Sequence, residues 1–392
     1  MSIFSTPGRI IITCSNRLSP FLEKETRELG FTPVRVFKTG VELEGTLKDC
    51  IRLNLNLRCA SQVLYSLKEF SAANADDLYN TLLDYPWEKI IAVDGYFSIS
   101  SNVTNDTINN SLYANVKMKD AIVDRFRNQT GERPNSGPEL DKTVIHLYWK
   151  EELAAIFIDT SGETLSKHGY RKIPGPAPML ESLAAATLLA TNWNRQSPFI
   201  NPMCGSGTLA IEAALLATKR MPGLLRFNYA FMHIVDYDEK MYNEEFKKLE
   251  QQVLDVPELK ILATDISEDA VNISKINAGI AGVEEMIEFN VCEFELTPVT
   301  EDAGGIIFFN PEYGDRLGTA AELEIIYGRL GDFLKKKCKG NTGYIFTGNL
   351  ELAKKIGLKP KRRIEFYTSK IDCRLLEYEL YSGTKRVEKG YS

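Results

Sequence analysis

The chain has little of what metal and redox centres are made from. Its seven cysteines (Cys14, Cys50, Cys59, Cys204, Cys292, Cys338, Cys373) are scattered with no C-x-x-C pair, and its three histidines (His146, His168, His233) lie far apart. These positions give neither a zinc spacing nor a disulfide framework, so no metal site and no histidine-based triad is expected. No apolar run approaches the ~18 residues that span a membrane. Residues 1–9 lack a charged segment followed by an apolar one, so no signal peptide is expected and the setting reads as cytoplasmic. Positive charge is in deficit too. The net charge is −6, which counts against nucleic-acid binding by the surface as a whole, because phosphate contacts need cations.

What is present is an ordinary globular composition, 44% hydrophobic and 26% charged over 392 residues, a length that favours two or three domains. Cations are concentrated locally. Lys354, Lys355, Lys359, Lys361, Arg362, Arg363, Lys370 and Arg374 crowd one stretch, and Lys117, Lys119, Arg125 and Arg127 another. Each stretch reads equally as a nucleic-acid patch or as a solvated helix face.

Residues 9–13, 32–37, 40–44 and 62–70 read as strands, and 19–29 and 47–57 as helices, with Ser19 as N-cap, Pro20 in the first turn and Gly30 at the stop. The order βαββαβ predicts a small ferredoxin-like α+β unit. Helices at 75–83 and 114–127 follow, with strands at 96–103, 143–149 and 153–158, and 128–141 reads as an exposed loop. After a proline-rich connector and a small-residue helix at 179–191, strands and helices alternate from Phe199 onward. That alternation predicts a doubly wound, mostly parallel α/β sheet of the Rossmann-like kind.

Two motifs in this last part carry chemistry. Asn201-Pro202-Met203-Cys204-Gly205-Ser206-Gly207-Thr208 is a glycine-rich turn leading into a helix, whose free N–H groups favour an anionic group. A plain β-to-α turn has the same appearance. Asp265, followed by Ile266, ends the next strand, where a carboxylate can accept from both ribose hydroxyls. Glu293, just past the strand at 287–291, could reach an adenine amino group or stand as a surface acid. The second motif is Asn310-Pro311-Glu312-Tyr313, at the end of the buried apolar run Ile306-Ile307-Phe308-Phe309. The Asn310 amide oxygen and the Pro311 carbonyl can accept both N–H groups of an exocyclic amine, and the Tyr313 ring can stack on a flipped base. Together the motifs suggest methyl transfer from S-adenosylmethionine to a nucleobase amine. An N-P-x-Y peptide signal is the competing reading, and it requires an exposed tail rather than a strand end.

The stretch from Asn201 to Leu209 and the run Asn310-Pro311-Glu312-Tyr313-Gly314-Asp315-Arg316-Leu317-Gly318 resemble the two long motifs of the THUMP-domain RNA methyltransferases, nearest their RlmL branch. Residues 116–124, Asp159-Thr160-Ser161-Gly162 and Gly169-Tyr170-Arg171 are similar to the THUMP segment and domain junction of that family. The resemblance implies a ferredoxin-like domain at 1–65, a THUMP RNA-binding domain at 66–165 and a Rossmann-like methyltransferase domain at 166–392. It implies S-adenosylmethionine as donor. Asn201, Pro202, Cys204, Gly205, Gly207, Thr208, Asp265, Ile266 and Glu293 would be its contacts, and Asn310, Pro311 and Tyr313 the catalytic residues. The expected substrate is the N2 amine of a guanosine in 23S ribosomal RNA or a precursor of the large subunit, with a transfer-RNA guanine methyltransferase or a non-catalytic assembly factor as alternatives. A companion N7 activity, carried by a second methyltransferase half in some relatives, is not expected. Two positions depart from the family pattern: Asn201 stands where aspartate is usual, and Glu312 where a second proline is usual.

Overall fold

The computed structural model describes residues 3–108, 110–175, 178–313, 319–368 and 371–381. The elements begin with β1 (Gly8–Thr13), α1 (Ser19–Glu28), β2 (Arg35–Phe37), β3 (Gly40–Gly45), α2 (Leu47–Asn56) and β4 (Gln62–Ser71). Then follow α3 (Ala75–Leu83), β5 (Tyr96–Thr104), α4 (Ser111–Thr130), β6 (Asn135–Ser136), β7 (Thr143–Lys150) and β8 (Leu153–Asp159). The remainder comprises α5 (Glu181–Ala190), β9 (Phe199–Pro202), α6 (Thr208–Ala217), α7 (Glu239–Gln251), β10 (Ile261–Asp265), α8 (Glu268–Ala281) and β11 (Ile287–Val291). It closes with β12 (Ile306–Phe309), α9 (Ala320–Lys337), β13 (Thr342–Thr347), α10 (Leu350–Lys355), β14 (Arg362–Thr368) and β15 (Ile371–Glu379). No helix among the described residues is long and apolar enough to cross a membrane.

The chain forms two compact units, one of residues 1–169 with 220–253, the other of 170–219 with 254–392. In the first, the βαββαβ order holds. Its strands share one sheet with those that follow, in the order β2-β3-β1-β4-β8-β7-β5-β6. The join is β4, which pairs antiparallel with β1 on one side and with β8 on the other. Helix α2 starts at a capping box in which Thr46 and Asp49 satisfy each other's backbone N–H. Ser19, expected as a cap, is instead inside α1. Leu18 occupies the cap position in a helical conformation and offers no side-chain bond.

Residues 220–253, read from sequence as part of the 166–392 piece, pack in this first unit. Arg226 Nη2 donates to the Ser161 carbonyl at 2.8 Å and Phe231 N–H to that of Thr160 at 3.1 Å. Buried Tyr229 and Phe231 stack with centroids 5.1 Å apart, so the apolar content of the segment, rather than its place in the chain, decides where it belongs.

Asp159 shows how the Asp-Thr-Ser-Gly turn is held. Its Oδ1 accepts from Ser161 N–H at 3.0 Å and Gly162 N–H at 3.2 Å. Burial pushes its carboxyl up to about 7, against the pull of those N–H groups and of Arg226. The folded state thus binds a proton that an unfolded chain, titrating near ~3.9, has already released. Stability from this group is complete below the unfolded value and is lost as pH rises through the folded one. The expected result is that the wild-type urea midpoint falls between about pH 5 and about pH 8. In Asp159→Asn, which keeps an acceptor oxygen but cannot ionise, that fall is smaller.

In the second unit the sheet runs β11-β10-β9-β12-β13-β15-β14, with five parallel strands and β15 antiparallel to both neighbours. Strand β9 lies between β10 and β12, so the chain leaves it in opposite directions and opens a crevice at the carboxyl ends. Every residue of β12 is buried, as expected of a strand covered on both faces. The closing hairpin β14–β15 is absent from the sequence reading, where Arg362 and Arg363 stand out as charges rather than as strand residues.

Helix α9 passes close to the end of α10. A Cβ placed on Gly331 would lie 1.8 Å from the Ile356 carbonyl oxygen. Backbone cannot yield as a flexible side chain can, so Gly331→Ala is expected to cost about 3 kcal/mol of stability, measured by urea unfolding.

Candidate functional site

The crevice between β9 and β12 is bridged by one side chain. Asn201, third in β9 and 1% exposed, donates from Nδ2 to the Phe308 carbonyl at 2.9 Å and to that of Pro202 at 3.4 Å. Those two carbonyls fix the amide orientation. Its Oδ1 is then buried with no hydrogen-bond partner, and so is Oδ1 of Asn310, directly after β12. Both residues line a cavity of about 380 Å³. An acceptor withdrawn from water without a donor costs ~1–3 kcal/mol, so two of them in one cavity wall point to a ligand that brings N–H or O–H groups.

The glycine-rich turn forms the floor. Gly205 (φ +56°) and Gly207 (φ +82°) adopt left-handed conformations open to glycine at no cost, and Met203 accepts a similar one at φ +57°. Gly207 is the N-cap of α6 and supplies no side-chain bond, so the first N–H groups of the helix have no side-chain acceptor there. Asp265 fixes the turn. Its Oδ2 accepts from Gly205 N–H at 2.9 Å and its Oδ1 from Ser267 N–H at 3.0 Å. Each oxygen keeps a lone pair for a further donor.

Three supporting residues escape the sequence reading. On α8, Ser274 Oγ donates to the Gly205 carbonyl at 2.7 Å. Asn277 donates to the carbonyls of Ser206 at 3.2 Å and Ile173 at 3.0 Å, and accepts from Lys172 N–H at 3.2 Å. The signal was available: both are buried members of the stripe Val271, Ser274, Asn277, Ala278 and Ala281, and polar residues inside a buried stripe have partners to satisfy. Arg171, next to buried Tyr170, pairs with Glu181 at 2.7 Å and reaches Thr208 Oγ1 at 3.4 Å. The junction motif therefore ties α5 to the start of α6.

Of the expected donor contacts, Asn201, Cys204, Gly205, Thr208, Asp265, Ile266 and Glu293 line the cavity, whereas Pro202 and Gly207 do not. Burial pushes the Cys204 thiol up to about 12, so it is a neutral packing group. Glu293 is held by Arg329 at 2.9 Å, and Arg329 also pairs with Glu295 while its guanidinium lies 5.3 Å from the Phe294 ring centroid. Among the expected catalytic residues only Asn310 lines the cavity, together with Glu312. Pro311 is buried. Tyr313 packs edge-on to Phe346, with centroids 6.2 Å apart, and its hydroxyl meets Cys373. In this geometry the ring braces the loop and does not offer the stacking face expected of it. Tyr327 steadies the same loop by donating to the Glu312 carbonyl at 3.3 Å. The remainder of the second motif, 314–318, lies outside the described residues.

The two basic stretches are not bare cationic faces. Lys117 pairs with Asp76 at 3.0 Å, Lys119 with Asp120 at 3.2 Å, Arg125 with Glu88 at 2.9 Å and Arg127 with Asp124 at 3.5 Å. Near the C-terminus Lys355 pairs with Glu324 at 2.8 Å and Arg374 with Asp372 at 2.7 Å. Exposed pairs of this kind hold by ~1 kcal/mol or less and exchange readily for other anions.

Five parallel strands with a closing antiparallel hairpin, a glycine turn after the first and an acid at the end of the second give this unit the fold of a class I methyltransferase. Comparison of the sequence with known families agrees and is more specific. The chain belongs to the RMKL-like methyltransferase family, whose domain model matches residues 168–377. The RlmL ferredoxin-like domain matches residues 9–64 and the THUMP domain residues 72–159. Among curated relatives, the ribosomal RNA large subunit methyltransferase K/L of Syntrophotalea carbinolica is 34% identical over 95% of this chain and 54% of its own length. The protein of the same name from Psychromonas ingrahamii is 36% identical over 96% of this chain and 51% of its own. The chain thus spans about half the length of the curated relatives it matches. Among solved structures, SMU.472 in complex with SAH (S-adenosylhomocysteine) superposes with a TM-score of 0.86 at 26% identity, covering 97% of this chain and 100% of that one.

Proposed function

We propose that this chain methylates the exocyclic N2 amine of a guanosine in large-subunit ribosomal RNA, with S-adenosylmethionine as donor. The observation that carries the reading is the buried, unpartnered Oδ1 of Asn310 in the cavity wall at the switch point. An aromatic amine is a poor nucleophile because its lone pair is delocalised into the ring. A fixed acceptor on each N–H favours a tetrahedral nitrogen and localises that pair, and Asn310 Oδ1 and the Pro311 carbonyl are the two acceptors. S-adenosylmethionine supplies an electrophilic methyl on a sulfonium centre. Asp265 would hold the ribose hydroxyls, Asn201 Oδ1 an N–H of the donor, Ile266 the adenine face, and the start of α6 an anionic end. Bringing the amine into line with the methyl supplies much of the rate, and the methylated nitrogen then loses its proton to water. The THUMP match and the relatives' name support RNA, and ribosomal RNA in particular, as substrate. A base in a loop or bulge is the accessible target.

Mass-spectrometric mapping of methylated guanosines in ribosomal and transfer RNA from a deletion strain tests the reading. Loss of one N2-methylguanosine from the large-subunit RNA is the expected result. Loss confined to transfer RNA would move the substrate there, and an unchanged pattern in both would end the proposal.

A further inference from the structure

The wall of the cavity carries a marked excess of negative charge. Asp265, Glu293, Glu295 and Glu312 line it, and Arg329 is the one cation among the described lining residues. Arg329 is engaged by Glu293 and Glu295. Asp265 has its two backbone N–H groups but no cation, and Glu312 has no ion-pair partner among the described residues. Such a wall is expensive unless something positive stands in front of it. The ligand is placed in the same cavity independently, by the unpartnered Oδ1 of Asn201, a residue 1% exposed.

We propose that Glu312, acting with Asp265, is a charge-selective element that makes the cavity hold the cationic methyl donor more tightly than its neutral by-product. This rests on the donor assigned above. Transfer converts a sulfonium into a neutral thioether. The methyl–sulfur bond breaks with its electron pair left on sulfur, the amine pair forms the new bond, and the positive charge leaves with the proton that the amine releases to water. The adenosine and amino acid parts are the same before and after. Contacts to those parts cannot tell donor from by-product, whereas a carboxylate facing the sulfur region can. That Glu312 and Asp265 act on one region shows in their mutual repulsion: burial and the Asp265 charge both push the Glu312 carboxyl above its ordinary value. Exchange of spent donor for fresh is the functional gain, because the attraction to this wall ends when the methyl group leaves.

Calorimetric titration of the whole protein with S-adenosylmethionine and, separately, S-adenosylhomocysteine gives the test, since it reads affinity without turnover. In wild type the donor binds more tightly. In Glu312→Gln, which keeps the shape and removes the charge, the ratio of the two affinities is expected to fall roughly three- to tenfold through weaker donor binding, with by-product affinity changed less than about twofold. Glu312→Lys shifts the ratio further the same way. An unchanged ratio, or equal weakening of both ligands, overturns charge selection and leaves the donor assignment standing. Wild-type protein that binds neither compound overturns the donor assignment and the selection with it.

Discussion

Replacing Asn310 by alanine is expected to lower methyl transfer by about 10²- to 10³-fold, the scale for removing one preorganised group that acts on charge developing in the transition state. Affinity for RNA and for the methyl donor should change by no more than about threefold. The split follows from placement. Asn310 lies beyond the end of β12, in a loop position with no secondary-structure hydrogen bond to lose, and its Oδ1 has no partner in the folded protein. Alanine therefore breaks nothing that the structure holds together. It removes only an acceptor that binds once an amine arrives. Asn310→Asp keeps an acceptor oxygen in place and should retain more activity than alanine. Single-turnover rates, with filter binding of the RNA and calorimetry of the donor, separate these terms. Full turnover in Asn310→Ala would remove the acceptor role altogether.

Asp265→Ala is expected to act at binding instead, weakening the donor by at least about tenfold. Two effects combine. The carboxylate now holds Gly205 and Ser267 through their N–H groups at 2.9 and 3.0 Å, so its loss releases the floor of the cavity. It also removes an acceptor for the ribose, and bonds to a charged group are worth ~1.5–3 kcal/mol each. Asp265→Asn, with a single acceptor oxygen, should fall between alanine and wild type. The measurement is calorimetric titration with S-adenosylmethionine, with urea unfolding alongside to show that the sheet survives. Undiminished affinity in Asp265→Ala would leave the residue with only the turn to hold.

Much of the second unit was legible because its signals are local. The runs at 261–265, 268–281, 287–291 and 306–309 have the bounds read from sequence, each apolar or periodic segment being closed by a glycine, an acid or a cap. Asn310 and Asp265 were legible for the same reason, as polar residues at strand ends. What was not legible depends on partners far along the chain. Ser274 and Asn277 look like ordinary helix positions until the glycine turn, about seventy residues earlier, is placed against them. Tyr313 shows the opposite failure: the motif gave its identity, but the orientation of the ring is decided by Phe346 on β13, which the motif does not include. The hairpin β14–β15 was hidden because its edge strand carries charges on alternate residues, which resemble a solvated face.

The excursion at 220–253 also bears on the order in which the protein can fold during synthesis. Residues 1–169 emerge first but lack part of their own unit. The carbonyls of Ile90, Thr160 and Ser161 wait for Val235, Phe231 and Arg226, which appear only after β9, the glycine turn and α6 have been made. For that interval both units are incomplete. A single break at the junction near Gly169 separates the early residues from a segment they need, and leaves the later part carrying the aromatic cluster of Tyr229 and Phe231 without its seat. Two halves expressed from such a break should aggregate, whereas a circularly permuted chain opened in an exposed turn should not.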